Sequence, residues 1–455
     1  MSAGNANPSS AVIVGLGRTG LSCARYLHRL GWKISVTDTR AQPPELAALR
    51  QLDSRIPVST GELDTRLLDD ALCVVASPGI SLTVPFFAEA RRRGLEIVGD
   101  IELFARAVDA PVVGITGTNG KSTVTTLVGR MAERAGIRVR VGGNLGEPAL
   151  DLLASGDRKA QPAQLYVLEL SSFQLEATYS LALKAAAVLN VSPDHLDRYA
   201  SVEAYAAAKA RIFARCDTTV INLDDPLVVA MPRAGQRTLS FSLRASIGAD
   251  YCCIAAATPG AQWWLARRGE PLLALSAMKL TGLHNAANAL AALALGEALG
   301  LPLPAMLAEL ATFAGLPHRS QWVAEVNGVT YINDSKGTNV GATIAAVGGM
   351  SGPLVMIAGG EGKNQDFMPL ADAFRGKVRH SVLIGRDAPA LASALHGVCT
   401  TETCASLQDA VAAAARAAHL GDTVLLSPAC ASFDMFRDYI HRGTVFTQAV
   451  KELAA

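Results

Sequence analysis

Three times along the chain a short, unbroken apolar run is closed by glycine. The runs are Ala11-Val-Ile-Val-Gly15, Pro111-Val-Val-Gly114 and residues 353–358 ahead of Gly359. Continuous apolar strands separated by helical stretches need both faces covered, which predicts parallel sheets in an α/β protein. The first block continues through a helix at 21–30 and a strand at 33–36, with further alternation to about Asp100. The second block has strands at 165–170, 185–191 and 218–222. A β-rich insert follows between Thr238 and Leu280, and then an Ala/Leu-rich helix at 285–299. The third starts near Leu316-Pro317 and places strands at 353–358, 381–384 and 423–426. A chain of 455 residues accommodates such a series, at about 100–200 residues per domain. Ligands of such sheets gather where the strands end and the loops begin.

The formal net charge is +1 with acids and bases interspersed. That argues against a nucleic-acid groove or a basic membrane-binding face, both of which need concentrated Lys and Arg. The eight cysteines include no Cys-x-x-Cys pair, so reduced thiols are expected. The stretch 1–10 is small and polar, without the basic start and apolar core of a leader. No apolar run reaches the ~20 residues of a membrane span. A cytoplasmic protein acting on small molecules is the expectation.

Several polar motifs fall at predicted strand ends. Gly15-Leu-Gly17-Arg18-Thr19-Gly20 follows a strand, opens a helix, and has Asp38 at the end of the next strand. This is the context of a dinucleotide-binding turn. It equally suits a turn kept for helix–sheet packing, or one that holds another nucleotide diphosphate. Gly114-Ile-Thr-Gly117-Thr118-Asn119-Gly120-Lys121-Ser122-Thr123 has the character of a phosphate loop, although Ile115 stands where the usual spacing has glycine. Convergent backbone N–H groups and the helix dipole would hold phosphate. Lys121 would reach the terminal phosphates, and the hydroxyl of Ser122 or Thr123 would ligate Mg²⁺.

Glu169 is an acid inside an apolar strand, which is costly unless paired, and a metal beside the phosphate loop would pair it. Asp194-His195 follows another strand, and His195 could ligate a metal or bond a phosphate oxygen. Lys209 looks like one exposed charge on an amphipathic helix. In the third block, Asp334 and Lys336 alternate and would point the same way if extended. Gly359-Gly-Glu-Gly-Lys363 could bind an anion. Ser427-Pro-Ala-Cys-Ala-Ser432-Phe433 would end a strand and begin a helix, so that Ser432 and free N–H groups could receive a carboxylate.

Taken in order, seven motifs resemble the Mur ligases, amide-bond-forming enzymes of bacterial cell-wall synthesis. They are Gly117-Thr-Asn-Gly-Lys-Ser-Thr123, Leu168-Glu-Leu-Ser-Ser-Phe-Gln174, Asn190-Val-Ser-Pro-Asp-His195, His284-Asn-Ala-Ala-Asn288, Leu316-Pro-His-Arg319, Asn333-Asp-Ser-Lys336 and Ser427-Pro-Ala-Cys-Ala-Ser432. The last two narrow the resemblance to the glutamate-adding members; a related folylpolyglutamate-type ligase with another acceptor is the alternative. The resemblance implies an α/β fold of three domains. These are a Rossmann-like UDP-binding domain (1–102), a central P-loop ATPase-type domain with a mostly parallel sheet and small β insert (103–315), and a C-terminal Rossmann-like domain for glutamate and ATP (316–455).

It implies ATP and Mg²⁺, with two ions, as cofactors. The substrates would be UDP-N-acetylmuramoyl-L-alanine and D-glutamate, and the enzyme a monomer. ATP would lie against Gly117, Thr118, Asn119, Gly120, Lys121, Ser122, Thr123, Asn285, Asn288, Arg319 and Asp334. Ser122, Glu169, His195 and a carbamylated Lys209 would hold metal, and Lys121, His195 and Lys209 would carry catalysis. Gly17, Arg18, Thr19, Gly20, Asp38, Thr39 and Arg40 would take the UDP end, which sets aside a nicotinamide cofactor. Asn144, Ser171, Lys336, Lys363, Ser432, Phe433 and Tyr439 would meet the acceptor and the incoming glutamate. Phe433 stands where relatives can carry leucine.

Overall fold

The computed structural model describes residues 9–153, 161–255, 262–280, 282–350 and 352–453. Most of the N-terminal stretch read above as lacking a leader, and residues 256–261 of the expected insert, lie outside them. Three sheets carry the fold. The first has five parallel strands in the spatial order Val58–Thr60, Lys33–Asp38, Ser10–Val14, Cys73–Ala76, Glu96–Val98. Strand order reverses beside Ser10–Val14, so the Gly15–Gly20 turn sits at the switch point where such sheets bind ligands. Gly20 is required by close approach: a Cβ there would lie 2.0 Å from the Gly15 carbonyl oxygen.

The second sheet has nine strands. Val112–Thr116 lies between Leu183–Val188 and Leu165–Glu169, which puts the phosphate loop at a second switch point. The expected β-rich insert is not a separate piece. Arg237–Ser242 pairs in parallel with Cys216–Asn222, and Tyr251–Ala255 in parallel with it; only Trp263–Arg267 and Glu270–Ala274 turn antiparallel. The reason is apolar burial, because Leu239, Phe241, Tyr251, Cys253 and Leu265 join the core beneath helix Leu283–Ala298. That helix is buried nearly all round, as its Ala/Leu run predicts.

The third sheet has six strands, parallel except for a hairpin of Gln321–Val326 with Val329–Asn333. Its Asn327-Gly328 turn has φ of 52° and 72°, as a two-residue hairpin of this twist demands.

Two local expectations fail here. The strand ends at Asn333 and Gly337 N–H bonds the Asp334 carbonyl, so Asp334 and Lys336 lie in a turn and not in an extended alternation. No helix begins at Ser432 either. Ala431 pairs with Glu361 in both directions (2.8 and 3.0 Å), and the Ser432 carbonyl accepts from Met435 and Phe436 N–H at 3.2 and 2.8 Å, but this single turn is not continued and the next helix runs Tyr439–Leu453. No helix among the described residues is long and apolar enough to cross a membrane.

The first two sheets are joined through helix Asp100–Ala105. Gly99 N–H bonds the Ala177 carbonyl, Glu102 accepts from Tyr179 and Ser180 N–H, and Gln174 Nε2 donates to Asp100 Oδ2 at 2.9 Å. Asp100 is 1% exposed and its Oδ1 has no hydrogen-bond partner among the described residues. Burial pushes its pKa up to about 6, against the bonds it accepts from Gln174 and Ile101. The folded state therefore holds this proton more tightly than the unfolded chain. The associated stability is present in full below about pH 4 and is lost as pH rises through about 6. In denaturant unfolding, the chain should lose about 2–3 kcal/mol relative to Asp100→Asn between about pH 4 and pH 8. Parallel pH dependence of the two proteins would refute this.

Candidate active site

The phosphate loop is held from outside itself. Thr118 N–H bonds the Asn190 carbonyl at 2.9 Å, and Asn119 exchanges bonds with the Asn190 side chain at 2.8 and 3.1 Å. Gly120 takes φ +84° at the start of helix Lys121–Arg134, and a Cβ there would come within 2.3 Å of Asn288 Oδ1. No side chain caps this helix, so its first N–H groups face the cleft as anion donors. Lys121 Nζ folds back onto the Gly117 and Thr118 carbonyls at 2.9 and 2.8 Å. Burial lowers its pKa, while Glu169 and Asp194 oppose the shift.

Around the loop stand the strand-end groups. Glu169, 3% exposed, accepts from Ser122 Oγ and from Asn144 Nδ2 at 2.6 Å. Burial alone would raise its pKa, but Lys121, Ser122 and Asn144 outweigh that and hold it ionised. Asp194 receives Lys363 Nζ at 3.3 Å and Asn339 Nδ2 at 3.2 Å. His195 packs edge-on against Phe173 at 4.8 Å between ring centres. Burial lowers its pKa against the pull of Asp194, which favours a neutral imidazole with a lone pair to offer a metal.

Lys209 overturns the exposed-charge reading. It is 1% exposed, its Nζ donates to the Gly117 carbonyl at 2.9 Å, and it lies 4.1 Å from the Tyr205 ring centre. Burial, reinforced by Lys121, sets its pKa well below that of an ordinary lysine.

The third sheet closes the other side. Arg319 donates to Ser122 Oγ; Asp334 accepts from Ser427 Oγ and Ser320 N–H, and burial raises its pKa to about 6. Lys336 lies 3.8 Å from the Tyr439 ring centre, and burial brings its pKa down to about 7. Ser432 is buried, whereas Phe433 is 70% exposed at the rim. Arg442, which the sequence did not single out, is fully buried. It donates to Ser335 Oγ and carbonyl and to the Cys430 and Ala431 carbonyls. Its guanidinium thus ties the turn after Asn333 to the segment carrying Ser432, over a distance in sequence that no local pattern reveals.

Three cavities open on these groups. The first is lined by Asn119, Gly120, Thr123, Asn285, Asn288, Arg319 and Asp334 together with apolar Leu189, Phe241 and Leu316. The second gathers Lys121, Ser122, Asn144, Glu169, Ser171, His195 and Lys209 with Lys336, Lys363, Ser432, Phe433 and Tyr439. The third holds Gly17, Arg18, Thr19, Asp38, Thr39 and Arg40, and shares Asn144 with the second. Gly20 lines none of them and packs beneath its turn. Asp38 is largely spent on the fold, accepting from Leu16 N–H at 2.7 Å and from the Arg40 guanidinium.

Among the described residues no three His, Cys, Asp or Glu side chains converge as a metal cluster. Glu169, His195 and the Ser122 hydroxyl nevertheless offer oxygen and nitrogen donors beside the phosphate loop. A carboxylate formed on Lys209 would add the further oxygen a hard divalent cation needs. The residues therefore fit Mg²⁺ on that condition.

Fold and site define a three-sheet α/β protein with a phosphate-loop nucleotide site set between its central and C-terminal sheets. Family models described as the Mur ligase MurD-like N-terminal domain, the Mur ligase middle domain and the Mur ligase glutamate ligase domain match residues 9–99, 115–296 and 318–430. The UDP-N-acetylmuramoylalanine--D-glutamate ligase of Nitrosococcus oceani is 51% identical over 98% of this chain and 97% of its own length. Its namesake from Pseudomonas aeruginosa is 48% identical over 97% and 98%. Among solved structures, the UDP-N-acetylmuramate-alanine ligase of Thermotoga maritima shares the fold with a TM-score of 0.61 at 19% identity, covering 97% of this chain and 99% of that one. The chain belongs to the Mur ligase family, in the branch of the UDP-N-acetylmuramoylalanine--D-glutamate ligases.

Proposed function

We propose that this chain joins D-glutamate to the alanine carboxyl of UDP-N-acetylmuramoyl-L-alanine, converting ATP to ADP and phosphate. The observation that carries the reading is the second cavity. There a phosphate-loop lysine, a buried ionised acid and two lysines from another sheet meet around one space. The alanine carboxylate attacks the γ-phosphate, and an acyl phosphate and ADP result. The amino nitrogen of glutamate then attacks the acyl carbon, loses a proton, and phosphate leaves. Two anions meet in the first step, so Lys121 and the uncapped helix N-terminus reduce their repulsion.

Mg²⁺, when bound by Ser122, Glu169, His195 and carbamylated Lys209, supplies further neutralisation of phosphate charge; two such ions are part of the proposal. Asn285, Asn288, Arg319 and Asp334 hold the nucleotide. Lys336, Lys363, Ser432 and Tyr439 hold the glutamate carboxylates, with Phe433 at the mouth. Arg18, Thr19, Thr39 and Arg40 take the uridine diphosphate, and Asn144 and Ser171 the acceptor end. The domains are proposed to divide at 102/103 and 315/316. We further propose a cytoplasmic monomer, since both nucleotide substrates are water-soluble and a single chain carries every group named.

The test is phosphate release from ATP with UDP-N-acetylmuramoyl-L-alanine and D-glutamate, L-glutamate or no amino acid. Release that requires D-glutamate, with a product one glutamate heavier, is expected. Release with L-glutamate alone would overturn the stereochemistry, and no release with any of them would overturn the reaction.

A further inference from the structure

Arg198 lies next to the His195 segment, yet half of its contacts belong to the first sheet. Its side chain is 11% exposed. One guanidinium nitrogen donates to the Pro78 carbonyl at 2.6 Å, and the other to Glu176 at 2.9 Å and, weakly, to the Ile80 carbonyl at 3.5 Å. The planar group also lies 3.9 Å from the centre of the Phe173 ring. Both limbs end at functional cavities. Pro78, Gly79 and Ile80 line the cavity of Arg18, Thr19 and Arg40, and Ser77 Oγ bonds the Gly15 carbonyl of the glycine turn at 2.8 Å. Phe173 is the ring against which His195 packs, and it also stacks on Tyr199, whose hydroxyl bonds Glu176 at 2.6 Å.

Two backbone carbonyls, a carboxylate and an aromatic face require the rigid planar fork of arginine, which lysine does not reproduce. We propose that Arg198 is a positioning residue that ties the loop beside the uridine diphosphate cavity to the setting of the His195 ring. Filling the nucleotide end of the acceptor thereby orders the end where reaction occurs. The inference rests on the ligase reading given above.

Two variants separate the limbs. Arg198→Lys should weaken binding of UDP-N-acetylmuramoyl-L-alanine, measured by calorimetry without ATP or metal, by about tenfold and lower kcat by about tenfold. The affinity for ADP should stay within about twofold of wild type. Phe173→Leu removes the ring between Arg198 and His195, with its stacking on Tyr199, but leaves the Arg198 bonds to Pro78, Ile80 and Glu176 in place, so it should lower kcat while weakening acceptor binding less than Arg198→Lys does. Adding Arg198→Lys to Phe173→Leu should then lower kcat no further. Wild-type acceptor affinity in Arg198→Lys, or kcat losses that multiply in the double variant, would overturn the proposal even if only stability had changed. Failure of the wild type to release phosphate would instead count against the ligase reading.

Discussion

Lys121→Ala is expected to lower kcat by about 10³-fold or more while leaving the first sheet folded. Lys121 Nζ bonds two carbonyls of its own loop, and charge-assisted bonds to phosphate oxygens would be stronger than these. The lysine also acts on its neighbours. Lys121 is the strongest of the groups that keep Glu169 ionised against burial, and it contributes to holding Asp194 ionised. On the proposed function, its removal would take away a phosphate ligand and at the same time raise the pKa of the acid proposed to hold metal. Loss of turnover should accordingly grow as pH falls, because protonation of Glu169 then adds to the defect. Phosphate release, circular dichroism and binding of the UDP-linked acceptor measure the separate parts. A Lys121→Ala enzyme with near-normal turnover would remove the central claim.

What could be read beforehand was whatever a single stretch of chain carries. The apolar runs into Gly15 and Gly359 and the Gly117–Thr123 loop have their physics in neighbouring residues, and the structure puts each at a strand end. Asn327-Gly328 carries an equally local hairpin signal, between strands that are only partly buried and alternate weakly. A polar residue soon after an apolar strand often caps a helix, which is why Ser432 reads as a helix start. The structure forms one turn there and does not continue it, while Ala431 just ahead pairs with Glu361, a segment distant in sequence. Arg442 and Arg198 were invisible for the same reason, since their partners come from other strands and from loops far along the chain. Resemblance supplied the importance of Lys209, and only the packed structure supplies a physical reason for it.

An ammonium group in the setting of Lys209 would sit desolvated beside another lysine, and both conditions drive it to the neutral amine. A neutral amine is nucleophilic at physiological pH. Its nitrogen lone pair can attack carbon dioxide, and after loss of one proton to solvent the product is a carbamate carrying a negative charge. The site then exchanges a neutral neighbour of Lys121 for an anionic, attractive one and adds a further oxygen donor to those of Glu169 and Ser122. Lys209→Ala should lower kcat by about 10³-fold. Lys209→Arg should do no better, because arginine keeps the charge but is not carbamylated. Wild-type enzyme held in carbon-dioxide-free buffer should lose activity slowly and regain it with bicarbonate, whereas neither variant should respond. Native mass spectrometry should find the added carboxyl group in wild type alone. Full activity in Lys209→Arg would show that a cation suffices at this position. Indifference of the wild type to carbon dioxide, with no added mass, would show that the buried amine acts unmodified.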